Sequence, residues 1–198
     1  MTQGHPGVPH PVEVLMDEHE IIIQVLLAAE RRSFDLNEGA TLDSEFWLHM
    51  AGFLADFADG FHHAKEENHL FPALVAHGMD AEQGPIAVML HEHEQGRKLL
   101  SDLRAGIEDH DPRAVARAAA SYAYLLRDHI QKENMVLFEM AQRVLPGDVA
   151  VAMSQQFAEL RRAAESSGAH WNEVAEGLCA AAGIEFRPPK TRTSPFEV

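Results

Sequence analysis

Two stretches of this sequence pair an imidazole with a carboxylate four residues later, His62 with Glu66 and His129 with Glu133. Residues i and i+4 share one face of a helix, so each pair aims a nitrogen and a carboxylate at one point in space. The pairs sit inside a longer repeat. The run His62-His63-Ala64-Lys65-Glu66-Glu67-Asn68-His69-Leu70-Phe71 aligns with His129-Ile130-Gln131-Lys132-Glu133-Asn134-Met135-Val136-Leu137-Phe138, placing Lys65 on Lys132 and Glu66 on Glu133. Upstream in each half stands a lone histidine in matching context, Glu18-His19-Glu20 and Glu92-His93-Glu94. Two copies of one helical hairpin about a pseudo-twofold axis would bring His19, His62, Glu66, His93, His129 and Glu133 together. Four imidazoles and two carboxylates suffice for two metal ions with bridging carboxylates, with coordination positions left open.

Apolar neighbours indicate which way each residue points. His62 shares its stripe with Leu54, Ala55, Ala58 and Leu70, whereas His63 shares one with Asp56, Asp59 and Glu67, which predicts a solvated face for His63. The His63–Glu67 pair is therefore the weaker of two registers. His129 follows Tyr122, Leu125 and Leu126, His19 lies among Leu15, Ile22, Ile23 and Leu26, and His93 lies among Ile86, Met89, Leu90 and Leu100. A single histidine on an apolar face is more often a hydrogen-bonded core residue than a ligand. Six inward His and Glu residues, with no Lys or Arg on the stripes of Glu66 or Glu133, instead call for cations.

Other candidates carry less. His69, one turn after Glu66, reads either as a donor supporting a ligand or as a partly exposed structural residue. Tyr122 reads as a core tyrosine, with a hydrogen bond to a bound oxygen species as the functional alternative. His91 faces away from His93, His170 opens the last helical stretch, and His5, His10, His49, His77 and His110 fall in no pattern. Cys179 has no activating neighbour and reads as a packed side chain.

The elements that must position these residues are helical. Ala and Leu outnumber β-branched residues and aromatics make up 7% of the chain, which predicts an all-α fold. Apolar periodicity gives a first helix over about 11–36, a second over 42–77 with Gly78 as its cap and Pro72 expected to kink or end it, and a third from Pro85 to about Glu108. Asp111-Pro112 is a start signal for a fourth helix reaching about Val144. Two weaker stretches follow near 148–166 and 170–182. The expected architecture is an antiparallel up-down-up-down four-helix bundle with an additional C-terminal helical segment. Residues 1–145 would form the bundle, 146–186 an extension packed on the same domain, and 187–198 a flexible tail.

Composition narrows the partners. A net charge of −15, with 16 Lys and Arg against 31 acids, argues against nucleic acid and against anionic membrane surfaces. The absence of a long apolar run or a signal-like N-terminus makes a cytoplasmic protein the expectation. One cysteine leaves no thiolate cluster, so any metal must rest on His and carboxylates.

With those residues in place, the sequence resembles the hemerythrin-like, or HHE cation-binding, family over roughly Val12 to Val144. The resemblance rests on Glu18-His19, His62-x-x-x-Glu66 followed by Leu70-Phe71-Pro72, Glu92-His93-Glu94 and His129-x-x-x-Glu133. It implies a non-haem centre of two iron ions bridged by the two glutamates and an oxo or hydroxo group. Family members are associated with dioxygen, peroxide or nitric oxide chemistry under oxidative or nitrosative stress, with sensing, or with iron–sulfur repair. Oxygen carriers of the family place two histidines four apart on the third helix and a His-x-x-x-x-Asp on the fourth. Here Arg97 and Asn134 occupy those positions, so the resemblance points to a symmetric centre with one histidine fewer, as in reactive or repair-type members. Reaction with a small diatomic or peroxide ligand is the leading expectation. The alternatives are an iron donor or sensor acting through a protein partner, an oxygen-binding protein, and a purely structural metal site.

Overall fold

The structure, a computed structural model, describes residues 9–189, which form six helices with no strand among them. Helix α1 spans Pro11–Asn37. Its start is fixed by His10, whose backbone N–H donates to Glu13 while its side chain accepts from the Val12 amide. Helix α2 covers 44–76 in one helical run: α-helix over Ser44–Phe53, π-helix over Leu54–His63 and Glu66–Leu70, and α-helix again over Phe71–Ala76. Helix α3 is Pro85–Glu108. Helix α4 covers 112–144, with α-helix over Pro112–Lys132 and Phe138–Val144 separated by a π segment, Glu133–Leu137. Helices α5, Gly147–Ser166, and α6, Trp171–Ala181, complete the chain.

Local chemistry explains the boundaries. Asp111 accepts from the Arg113 and Ala114 amides at 2.9 and 3.1 Å, capping the orphan donors of α4, with Pro112 at its first position. Gly78 takes φ +100° just past α2, a conformation that suits glycine. Pro72 does not end α2. It sits at the start of Phe71–Ala76, directly after a π turn in which the Phe71 amide reaches the Glu66 carbonyl, and the widened turn gives the ring room without the i−4 bond it cannot make.

Helix α4 packs along both α1 and α3, α2 meets α3, α5 and α6 lie on α1, and α6 also touches α2. The α3–α4 approach is set by Gly106, where a Cβ would come within 3.0 Å of the Val115 backbone nitrogen and 3.2 Å of its Cγ2. Gly106→Ala should therefore cost about 1–2 kcal/mol net in a denaturant melt, because overpacking against backbone outweighs the helix-propensity gain of about 1 kcal/mol. An alanine variant as stable as the parent would show that the hairpin can slide apart freely.

The core falls into two apolar layers. One contains Ile22, Leu26, Trp47, Phe57, Ala58, Leu100, Leu103, Tyr122 and Leu126, and the other Val12, Leu15, Leu70, Phe71, Ile86, Met89, Leu137 and Phe138. On α1, α2 and α3 the chain crosses from one layer to the other over the stretch that holds His19, His62 with Glu66, and His93, and on α4 it crosses after Ile130, over the stretch that holds Glu133 just past His129. A polar stratum thus lies between two hydrophobic ones, and it is here that the chemistry is placed. No helix among the described residues is long and apolar enough to cross a membrane.

Cys179 is buried against the Gln24 carbonyl, and burial pushes its thiol up to about 11, as suits a packed side chain. The expected tail from residue 187 lies mostly outside the described residues. Arg187 itself exchanges two hydrogen bonds with the Gln24 side chain on α1, at 2.7 and 2.8 Å.

Candidate metal centre

All six residues expected at the site are buried and meet in the polar stratum. His19, His62, Glu66 and Glu133 offer ligand atoms within 4.8 Å of one another, and His63, Glu66, His93 and His129 form a second such group sharing Glu66. Glu66 turns Oε1 to His62 Nε2 (3.6 Å) and Oε2 to His93 Nε2 (3.5 Å), one oxygen to each group. Glu133 Oε2 lies 3.1 Å from His19 Nε2 and 3.3 Å from His129 Nε2. Both glutamates open a π turn, Glu66–Leu70 and Glu133–Leu137, so the internal repeat extends to the backbone irregularity itself.

His63 corrects the reading from periodicity. Expected on a solvated face, it is 3% exposed and its ring stacks on His93 at 3.8 Å. The cause is the π segment Leu54–His63, closed by the Ala64 amide reaching Asp59 five residues back. A wider turn rotates each residue by less than the α-helical 100°, so His62 and His63 can both face the interior. The symmetric, four-histidine centre is thereby amended to five inward imidazoles. The doubled histidine was the available signal, but it could be used only with the turn type known.

Each inner nitrogen is oriented by an outer partner. His62 Nδ1 donates to Glu18 and His129 Nδ1 to Glu92, both at 3.0 Å; His93 Nδ1 donates to Glu67 at 2.7 Å and His19 Nδ1 to the Asn134 amide oxygen at 2.9 Å. These partners obey the same pseudo-twofold relation: Glu18 corresponds to Glu92, Glu67 to Asn134, and the lysines pairing with Glu18 and Glu92 are Lys65 and Lys132. With the Nδ1 protons so engaged, the Nε2 lone pairs point inward. Arg97 joins the set by gripping Asp59, Glu94 and Glu67. Glu18 and Lys65 stand in the motifs without a role, because what they support becomes visible only across helices, and Glu67, the carboxylate of the alternative His63–Glu67 register, instead supports His93.

The arrangement is unsatisfied as it stands. His19, His62 and His63 Nε2 and all four carboxylate oxygens of Glu66 and Glu133 are buried without a hydrogen-bond partner; the short His19–Glu133 approach lacks hydrogen-bond geometry. His93 and His129 set their Nε2 atoms 3.2 Å apart, two lone pairs face to face when both Nδ1 atoms carry the proton. Burial holds His62 and His63 well below the usual imidazole range, which keeps their lone pairs free. Burial and then the Glu133 carboxylate drive Glu66 well above the usual carboxylate range. Cations among these atoms would satisfy every one of them, so the donor set fits metal ions.

The remaining candidates stay outside the cluster. His69 is partly buried with its ring against Phe157, and His91 is exposed and bonded to Gln95. Tyr122 is buried beside Gly96 in the apolar layer, its phenol pushed up by burial.

Comparison with known proteins gives a consistent result. The chain is 34% identical over 103 residues to the iron-sulfur cluster repair protein DnrN of Neisseria gonorrhoeae, a match covering 47% of this chain and 66% of that protein, just under two thirds of its length. No solved structure matches. The profile described as Hemerythrin HHE cation binding domain matches residues 10–141, the span that carries the repeat and every inward ligand atom, and the chain belongs to that family.

Proposed function

We propose that this chain is a non-haem di-iron protein whose two ions are bridged by Glu66 and Glu133 and meet a small oxidant such as dioxygen, peroxide or nitric oxide. The observation that carries this reading is the set of buried, partnerless donors facing one another across the polar stratum. His19 and His62 would hold one ion and His93 and His129 the other. Carboxylates shared between two positions suit the higher coordination numbers of iron better than the closed tetrahedron of zinc. When bound, the pair supplies redox chemistry. The residues hold imidazole tautomers through Glu18, Glu92, Glu67 and Asn134, and the apolar layers exclude water and bulky ligands from both ends.

The order in which α1 to α4 cross between the layers supports an antiparallel up-down-up-down bundle. On α1 and α3 the layer of Leu15 and Met89 comes first, and on α2 and α4 it comes last. The bundle would be the functional unit, with α5 and α6 as an extension of it.

Ferrous reconstitution should give about two irons per chain, with an optical spectrum that changes on exposure to dioxygen, hydrogen peroxide or nitric oxide. Stoichiometric zinc with no redox response would sink the proposal. A second reading, donation of iron in the repair of iron–sulfur centres, is favoured by the name of the gonococcal relative. Transfer of iron to an apo acceptor without oxidant turnover would select it.

A further inference from the structure

The pseudo-twofold relation holds for six inner ligands and fails at one inner position: the mate of His63 is Ile130. It also fails in the backbone that delivers His63, because α2 has the π segment Leu54–His63 while the only π segment of α4 is Glu133–Leu137, the counterpart of Glu66–Leu70. We infer that His63 makes the two metal positions unequal, so that the ion among His63, His93 and His129 is held tightly while the ion between His19 and His62 is the exchangeable one. This rests on the di-iron reading and deepens it by naming which ion can leave.

His63 is built for this role. Its Nε2 is buried and partnerless within 4.8 Å of ligand atoms of Glu66, His93 and His129. Its Nδ1 faces Asp59 at 3.4 Å, and Arg97 fixes that carboxylate with bonds of 3.0 and 3.1 Å. A second difference has the same sign. His93 donates to a carboxylate, Glu67, where its mate His19 donates to the neutral amide of Asn134. A carboxylate partner raises imidazole basicity more than an amide does, so the His93 position gains both an extra nitrogen and a better one. Arg97 holds Glu67 as well as Asp59, tying both differences to the same position.

The test is an anaerobic cobalt(II) titration of the metal-free full chain followed by visible absorption, with circular dichroism as a fold check. The unmodified protein should fill in two steps whose affinities differ by at least about tenfold, the scale set by losing one supporting partner of a ligand. His63→Gln and His63→Leu should each still bind two ions but bring the steps together, chiefly by weakening the tighter one. Glu67→Gln should weaken the tighter step by a smaller factor. Steps that coincide in the unmodified protein, or a separation that survives both His63 substitutions, would overturn the inference and leave the di-iron reading standing. A chain that takes up no metal overturns that reading and the inference together.

Discussion

Chelating the metal should lower the melting temperature by roughly 10–20 °C, taking two ions each at about a hundred times its Kd and about 2–4 °C per kcal/mol for a chain of this size. An ion that binds the native chain and not the unfolded one adds about 2.7 kcal/mol at that saturation. The metal-free stratum has intrinsic strain as well. Glu66 and Glu133 are fully buried together, and burial and mutual repulsion raise Glu66 well above the usual carboxylate range. Protonating Glu66 relieves the repulsion without supplying partners for its oxygens. Glu66→Gln keeps the shape and the neutral form that the metal-free site favours, so its apo form should melt no lower than the unmodified apo protein, while most of the metal-dependent shift disappears with the lost carboxylate. Thermal scans of both proteins with and without chelator separate the two contributions. An unmodified protein whose melting temperature ignores chelation does not carry metal in its core.

What could be read from the sequence alone depended on regular backbone. His62 with Glu66 and His129 with Glu133 are four apart, a spacing that faces inward in an α-helix and, in the widened turn, still does. The lone His19 and His93 followed from the repeat, and the helix limits from Asp111-Pro112 and Gly78. His63 escaped because its direction depends on a turn type that composition does not encode; Ala55, Ala58 and Gly60 permit the wide turn but do not demand it. Pro72, expected to kink or end α2, does not end it for a related reason: the helix is already widened to a π turn directly before the ring. Lys65 escaped differently. A lysine two residues after His63 looks like a solvated charge until α1 and α5 are folded against it, and no local pattern announces that Glu18, Phe157 and Arg161 will surround it.

That surrounding leads to the largest single-residue effect expected of this chain. Lys65 is 2% exposed, paired with Glu18 and set over the faces of Phe61 and Phe157 at 4.0 and 5.3 Å. Burial pushes its ammonium down, and Glu18 opposes the shift. Glu18 has further partners, Arg161 at 3.0 Å and His62 Nδ1 at 3.0 Å. The two sides of this pair are therefore unequal. Glu18→Leu strands a buried lysine with only ring faces to meet it, which should cost about 3–5 kcal/mol in the chelated protein. Lys65→Met, similar in volume, leaves Glu18 paired with Arg161 and His62 and should cost well under half of that, about 1 kcal/mol. The double variant should recover most of the loss seen in Glu18→Leu alone, since it removes the stranded charge. The mirror pair behaves differently, because Lys132 is 37% exposed and also reaches Asp128 at 2.6 Å. Water reaches Lys132 when Glu92 is replaced, so Glu92→Leu should cost only about 1 kcal/mol. Denaturant melts of the five proteins in chelator, with slopes compared to confirm two-state unfolding, give the test. Equal losses for Glu18→Leu and Glu92→Leu would mean that helix α5 does not seal Lys65 from water, and that Phe157 and Arg161 leave the centre as open on that side as on the other.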